Sequence, residues 1–240
     1  MGYVDLHCHF VPAIDDGVRT EDEGVELLRG LAGIGFERVV ATPHMRPGMF
    51  DNHRGAMEVA FATMSSRVAS EAGMPAIDLA SEHWFDDVVF ARLVAGEGAP
   101  YPGGHAALIE LNPDMFPVRL ANAFFELRRR KIRPVLAHPE RYAPVWSDHA
   151  ILDPLLDGGT LCLLDVAALV GKYGRKPEHT ARRLLEDGYY YAACSDAHRP
   201  ADVALVARGI DELRALMGAE ETDFLLGEGP RNILSGKVES

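Results

Sequence analysis

Seven short apolar runs, each of four or five residues, recur along the chain with longer amphipathic stretches between them. They occupy residues 4–7, 38–41, 76–80, 106–110, 133–137, 160–164 and 190–194. Runs this short, and apolar throughout rather than alternating, read as strands covered on both faces. The first stretch between them opens at Thr20, which with Glu23 forms a capping box. Its helix turns Val25, Leu27, Leu28 and Leu31 toward a core before Gly33 and Gly35 stop it. Further helices are expected over residues 54–72, 87–95, 120–130, 150–156, 178–186, 203–217 and 222–226. Strands alternating with helices demand parallel pairing, either in an open doubly wound sheet or in a closed barrel.

The polar residues choose between these two. His7 and His9 follow the first run, His44 the second and Glu82 the third. Glu110 ends the fourth, His138 follows the fifth, and Asp196 and His198 follow the seventh. Both architectures place their chemistry at the C-terminal edge of the strands. Six strands can aim at one point only if the sheet closes, because neighbours about 4.8 Å apart would spread the outer ends of an open sheet. The expectation is therefore an α/β barrel of seven βα units, one domain over residues 1–240, with no repeat or Gly/Ser linker to divide it.

In an extended His7-Cys8-His9 the two imidazoles share one face and Cys8 takes the other. Asp196-Ala197-His198 repeats the geometry with a carboxylate and an imidazole. Paired side chains of this kind suit a divalent metal. A lone H-x-H is as readily two surface histidines; the whole strand-end set is what carries the metal reading. His53, His105, His149 and His179 fall outside it and are expected at the surface or in caps, while His83, beside Glu82, is a candidate pocket residue.

Composition removes several classes. Thirty-six acidic residues against 24 basic ones give a formal charge of −12, the wrong sign for broad contact with nucleic acid or anionic lipid. The run Arg128-Arg129-Arg130-Lys131 then reads as a solvated helix end, where cations complement the dipole. No run approaches the roughly 18 apolar residues of a membrane span, so membrane insertion is not expected. The opening Met1-Gly2-Tyr3-Val4-Asp5 lacks the basic and apolar regions of a signal peptide, and a cytoplasmic location is expected. Cys8, Cys162 and Cys194 are too scattered for a disulfide framework. Cys194 and Arg199 are one residue too close for the loop of a thiolate phosphatase, so Cys194 reads as core filler.

The segments Asp5-Leu6-His7-Cys8-His9, Ile14-Asp15-Asp16-Gly17, Ala41-Thr42-Pro43-His44, Ala80-Ser81-Glu82 and Leu108-Ile109-Glu110 appear in order. They are followed by Ala137-His138-Pro139-Glu140-Arg141-Tyr142, Ser195-Asp196-Ala197-His198 and the closing Gly229-Pro230-Arg231-Asn232. Together, over residues 3–235, they resemble the polymerase-and-histidinol-phosphatase (PHP) superfamily. Within it they resemble the capsule and exopolysaccharide protein-tyrosine phosphatases of the CpsB/YwqE type.

The resemblance implies a distorted (β/α)7 PHP-type barrel and a trinuclear site. Its ligands would be His7, His9, Asp16, His44, Glu82, Glu110, His138, Asp196 and His198, with Glu82 bridging. Mixed nitrogen and oxygen ligation suits Mn²⁺, Fe or Zn²⁺, and the family favours Mn²⁺. Three dications among four carboxylates leave the cluster positive and attractive to a phosphate dianion. A metal-bridging hydroxide is the expected nucleophile, since coordination lowers the pKa of water. Arg141 is expected to be catalytic by clamping the transferring phosphoryl group. Arg46 and Arg199 are further phosphate candidates, each with a solvated-loop alternative. Glu140 and Tyr142 are expected to hold the Arg141 loop, and Asp15 to orient Asp16. Residues 45–50 form a candidate rim whose Met49 and Phe50 either meet an aromatic substrate or tuck against the barrel.

The implied function is hydrolysis of phosphotyrosine in a protein, the tail of a bacterial tyrosine kinase that regulates exopolysaccharide or capsule synthesis. The alternative keeps the site and takes a small phosphate ester such as histidinol phosphate. A nuclease reading is opposed by the acidic balance, and a non-catalytic one by nine intact ligand positions.

Overall fold

The computed structural model describes residues 2–238; Met1, Glu239 and Ser240 lie outside the described residues. Among the described residues nine strands run in chain order: β1 Tyr3–Cys8, β2 Phe36–Ala41, β3 His44–Met45, β4 Ala76–Leu79, β5 Glu82–Trp84, β6 Ala106–Glu110, β7 Arg133–Ala137, β8 Leu161–Asp165 and β9 Tyr190–Cys194. They pair in the orders β1-β2-β4 and β3-β5-β6-β7-β8-β9, and every strand pair is parallel.

The nine strands are seven staves, two of them broken. β2 stops at Ala41 and β3 resumes at His44; β4 stops at Leu79 and β5 resumes at Glu82. Pro43 has no N–H to give to a ladder, which interrupts the second stave. The third breaks beside it, where Ser81 turns its N–H to the carbonyl of Ala99 and its hydroxyl to that of Pro43. Ala80 N–H to Ala41 and Glu82 N–H to Pro43 knit the two staves across the gap. The ring closes where Cys8 bridges Ala197 in parallel, and His9 and Asp196 donate to Ala197 and His7. The expected seven-unit α/β barrel is the observed one, with this break as its distortion.

Around it lie α1 Glu21–Gly33, α2 Arg54–Ala69, α3 Asp87–Ala95, α4 Leu120–Arg129, α5 Ala143–Ser147, α6 Asp153–Asp157, α7 Arg175–Glu186, α8 Val203–Asp223 and α9 Gly229–Ser235. Thr20 caps α1 by accepting from Glu23 N–H, while the Glu23 carboxylate reaches back to Arg19 N–H. The helix expected over residues 150–156 is a 3₁₀ turn, His149–Leu152, followed by α6. α8 is interrupted at Gly218, where φ is +82°; its first part is the helix expected over residues 203–217, while the one expected over 222–226 straddles the end of α8 and the π-helical turn Phe224–Glu228.

The core has two layers. Val4, Leu6, Val40, Leu108, Val135, Leu163 and Ala192 fill the barrel, with Ile233 and Leu234 of α9 in the same cluster. Leu28 and Leu31 of α1, Leu184 of α7 and Leu213 of α8 pack with Cys8, Ala41, Ile109, Leu136 and Leu164 between staves and helices. β1 changes phase between these layers. Its register against β2 slips between Asp5 and Cys8, so Leu6 lies inside the barrel while Cys8 packs outside it. Such an irregularity re-aims side chains at the rim of a barrel.

Candidate metal centre

The phase change turns His7 and His9 inward together. Their Nε2 atoms lie 3.1 Å apart, the spacing of adjacent nitrogen ligands around a cation with bonds of about 2.1 Å. Glu82, the first residue after the break in the third stave, stands at the middle. Its Oε2 lies 3.3 Å from His7 Nε2, 3.7 Å from His9 Nε2 and 2.9 Å from His44 Nδ1. Its other oxygen lies 3.0 Å from His138 Nε2. Asp196 Oδ1 faces the same pair from the loop after β9, at 3.3 Å from His7 and 3.6 Å from His9. On the open side Asp16 Oδ1 reaches His44 and His198 at 3.3 and 3.5 Å, and Glu110 lies 3.8 Å from His44.

All nine residues singled out as ligands thus meet at one edge of the barrel. Three interlocking groups have ligand atoms close enough to share an ion: His9, Asp16, His44 and His198; His7, His9 and Glu82; and His44, Glu82 and Glu110. His138 and Asp196 join through the contacts above. Divalent cations fit this donor set. His7 Nδ1, His138 Nδ1 and Glu110 Oε2 are buried without a hydrogen-bond partner; Glu110 Oε2, which faces the cleft, is the one that a cation bound there would satisfy.

The backbone is strained at two of the nine. His138 has φ +34° and Asp196 φ +42°, a region that costs a side-chain-bearing residue about 1–2 kcal/mol. Both sit where a stave gives way to its loop. Gly17 serves the same edge differently: a Cβ there would lie 2.3 Å from the carbonyl oxygen of His9, so only glycine lets the Asp15–Asp16 turn close on His9.

Protonation follows from this crowding. Burial alone would raise the Glu82 carboxyl, yet the charges of His7 and His44 hold it well below the usual range. Burial would lower His44, but Glu82, Asp16 and Glu110 keep it up at about 11. His198 is held at about 9 in the same way, against burial, by Asp196 and Asp16. Glu110 rises to about 8 through burial and the charge of Glu82. His138 falls to about 4 through burial and the charge of Arg141.

Around the ligands stands a set of groups the sequence reading only partly reached. Asp15 bonds His9 Nδ1 at 2.8 Å and accepts from the N–H groups of Gly17 and His44; it orients His9, not Asp16 as expected. Asp5 accepts from the N–H groups of His7 and Ser195 and from the Ser195 hydroxyl, tying β1 to β9. The sixth stave and the segment after it supply Asp165, Lys172 and Tyr173. Lys172 donates to the carbonyl of Asp196 and Tyr173 to its Oδ2. Asp165 ends a strand as Glu110 does, and that position was its signal.

Arg141 lines the cleft, donates to Asp196 Oδ2 at 2.8 Å and lies over the Tyr173 ring at 4.4 Å. Arg46 lines it from just after β3, with its guanidinium 3.6 Å above the centre of Trp84. Arg199 is not brought to the cleft lining; it is exposed at the start of the turn Pro200–Asp202. Glu140 and Tyr142 hold the Arg141 loop: Glu140 accepts from Asp165 N–H and the Tyr190 hydroxyl, and Tyr142 donates to the Ala137 carbonyl. His83 is buried between the Leu108 carbonyl and Ala99 N–H, outside the cleft lining. All three cysteines are buried and free.

The family model for capsular polysaccharide synthesis, CpsB/CapC, matches residues 3–235. The tyrosine-protein phosphatase YwqE of Bacillus subtilis (strain 168) is 27% identical over 201 residues, covering 81% of this chain and 77% of YwqE. The tyrosine-protein phosphatase CpsB of Streptococcus pneumoniae is 24% identical over 246 residues, covering 98% and 99%. A solved structure from a study of YwqE and CpsB as unique metal-dependent tyrosine phosphatases superposes with a TM-score of 0.90. It is 24% identical and covers 99% of this chain and 96% of its own. At that identity the likeness speaks for the fold, and the match over residues 3–235 speaks for the family: the chain belongs to the CpsB/CapC family of capsular polysaccharide synthesis.

Proposed function

We propose that this protein is a metal-dependent protein-tyrosine phosphatase acting on a phosphotyrosine protein in capsule or exopolysaccharide synthesis. The substrate in this reading is a bacterial tyrosine kinase met in the cytoplasm. One observation carries the proposal: in a chain of the CpsB/CapC family, five imidazoles and four carboxylates converge on a cleft that also holds two arginines.

Nine ligands suffice for three divalent cations, with Mn²⁺ ahead of Fe or Zn²⁺. Bound there, the cations would supply an acidified water and neutralise phosphate oxygens. The chain's own residues do the rest. Arg141 has five N–H donors in a planar fork. One is committed to Asp196, and the others are available to the oxygens of the phosphoryl group, whose charge they stabilise as it transfers. The Tyr173 ring beneath fixes the plane of the fork. Arg46, stacked on Trp84, offers a second cation at the cleft. Asp15 holds His9 to one tautomer through Nδ1, a partner of the kind that metal-ligating imidazoles keep. A phenolate, with a pKa of about 10, leaves without needing a strong proton donor.

The test offers the metal-reconstituted protein a phosphotyrosine peptide, a phosphoserine peptide and histidinol phosphate. The phosphotyrosine peptide should be preferred; preference for histidinol phosphate would move the site to small-molecule esters. Arg141→Ala should keep its metal and lose turnover. Near-normal turnover would transfer the clamp to Arg46.

A further inference from the structure

The cleft is about 150 Å³ in volume, and all of its lining but two side chains is charged or imidazole. That setting suits a phosphoryl group and not the ring that carries it. Of the side chains lining the cleft only two are apolar, Met49 and Phe50, and both belong to one hairpin.

That hairpin is built rigidly. Arg46 and Phe50 exchange backbone hydrogen bonds of 3.1 and 2.8 Å, and Gly48 takes the left-handed turn at φ +81°. Asn52 ties its foot to the barrel by donating to the carbonyls of Ile14 and His44. Phe50 lies flat on the His44 imidazole, 5.2 Å between centres and 7° between planes, and remains half-buried. Met49 beside it is 60% exposed. Neither belongs to the core, and both line the cleft beside the group of charged residues.

We infer that the Arg46–Phe50 hairpin selects the leaving group, Phe50 and Met49 receiving the ring of an aryl ester while the cleft takes its phosphate. This rests on the phosphatase reading and adds to it a specificity element outside the ligand set. The thioether and the ring offer the contacts an aromatic leaving group prefers; an alkyl ester gains little from either.

Binding of phenylphosphonate and methylphosphonate to the metal-reconstituted protein, measured by calorimetry, isolates the ring because neither is hydrolysed. Wild type should favour the phenyl compound. Phe50→Ala should weaken phenylphosphonate by about 5–10-fold, the scale of one aromatic contact, and change methylphosphonate less than about twofold. Phe50→Leu and the exposed Met49→Ala should show the same direction with smaller loss. Metal content by elemental analysis should stay at the wild-type level. Equal weakening of both phosphonates would overturn the inference and make Phe50 a buttress for His44; no weakening of either would overturn it as well. Failure of wild type to hydrolyse phosphotyrosine would sink the phosphatase reading alone, since phosphonate binding does not depend on turnover.

Discussion

The inside of the barrel changes character halfway along its staves. The lower half is Val4, Leu6, Val40, Leu108, Val135, Leu163 and Ala192, closed by Ile233 and Leu234. The upper half is imidazole and carboxylate, with three polar atoms buried and unpartnered and two residues at positive φ. Identical staves serve both. The lower half satisfies itself by burying carbon, whereas the upper half leaves polar groups short of partners and depends on what binds there. Stability and chemistry are thus separated by height in one barrel, and the slip in β1 after Asp5 is where one passes into the other.

The largest expected effect lies in the upper half. Glu82→Gln removes the charge that faces His7, His9, His44 and His138. Turnover should fall by at least about 10²-fold, the loss that even outer partners of metal ligands can cause, and metal content by elemental analysis should fall with it. The variant should still unfold cooperatively near the wild-type temperature; collapse of the fold would mean the two halves are not separable. Leu108→Ala is the converse. It should lower unfolding free energy by about 2–5 kcal/mol in denaturant titrations, while turnover per folded molecule stays near wild type. A large loss of turnover in the folded fraction would break the comparison from below.

A smaller effect sharpens it. Without metal, His44 at about 11 and His198 at about 9 are protonated at neutral pH, and so in part is Glu110 at about 8. Ligands must be deprotonated, so cations and protons compete, and metal affinity should rise with pH. More than one proton should be released per protein, giving at least about a tenfold gain in affinity per pH unit between about 6.5 and 8. Calorimetry in buffers of different ionisation enthalpy counts those protons. A flat profile would show that the upper half is already neutral before metal enters.

Much of this division was legible in the sequence. The strands announced themselves as short apolar runs because both their faces are covered, and the ligands because they follow those runs. Less legible were features that depend on distant pairing. Pro43 marked the break in the second stave, but the matching break at Ala80-Ser81 exists because that stave lies beside it. Alternation carried back from His7 would set Leu6 outside; the register of β1 against β2 sets it inside. Tyr173 and Arg141 lie far apart in the chain, and nothing local tells one that it will lie under the other. Asp165 was the avoidable omission, a strand-end carboxylate like Glu110.

The three cysteines bear on where such chemistry can operate. Phosphatases that attack through a thiolate need a reachable, deprotonated sulfur, and peroxide or alkylating agents silence them. Here Cys8 and Cys194 show no exposed surface and Cys162 only 1%, and burial pushes the thiols of Cys8 and Cys194 far up. An oxidative burst that inactivates thiol enzymes finds no reachable thiol in this chain, and iodoacetamide should leave it working. Its weakness is of another kind: starvation for metal, or a competing chelator, reaches it where thiol reagents do not.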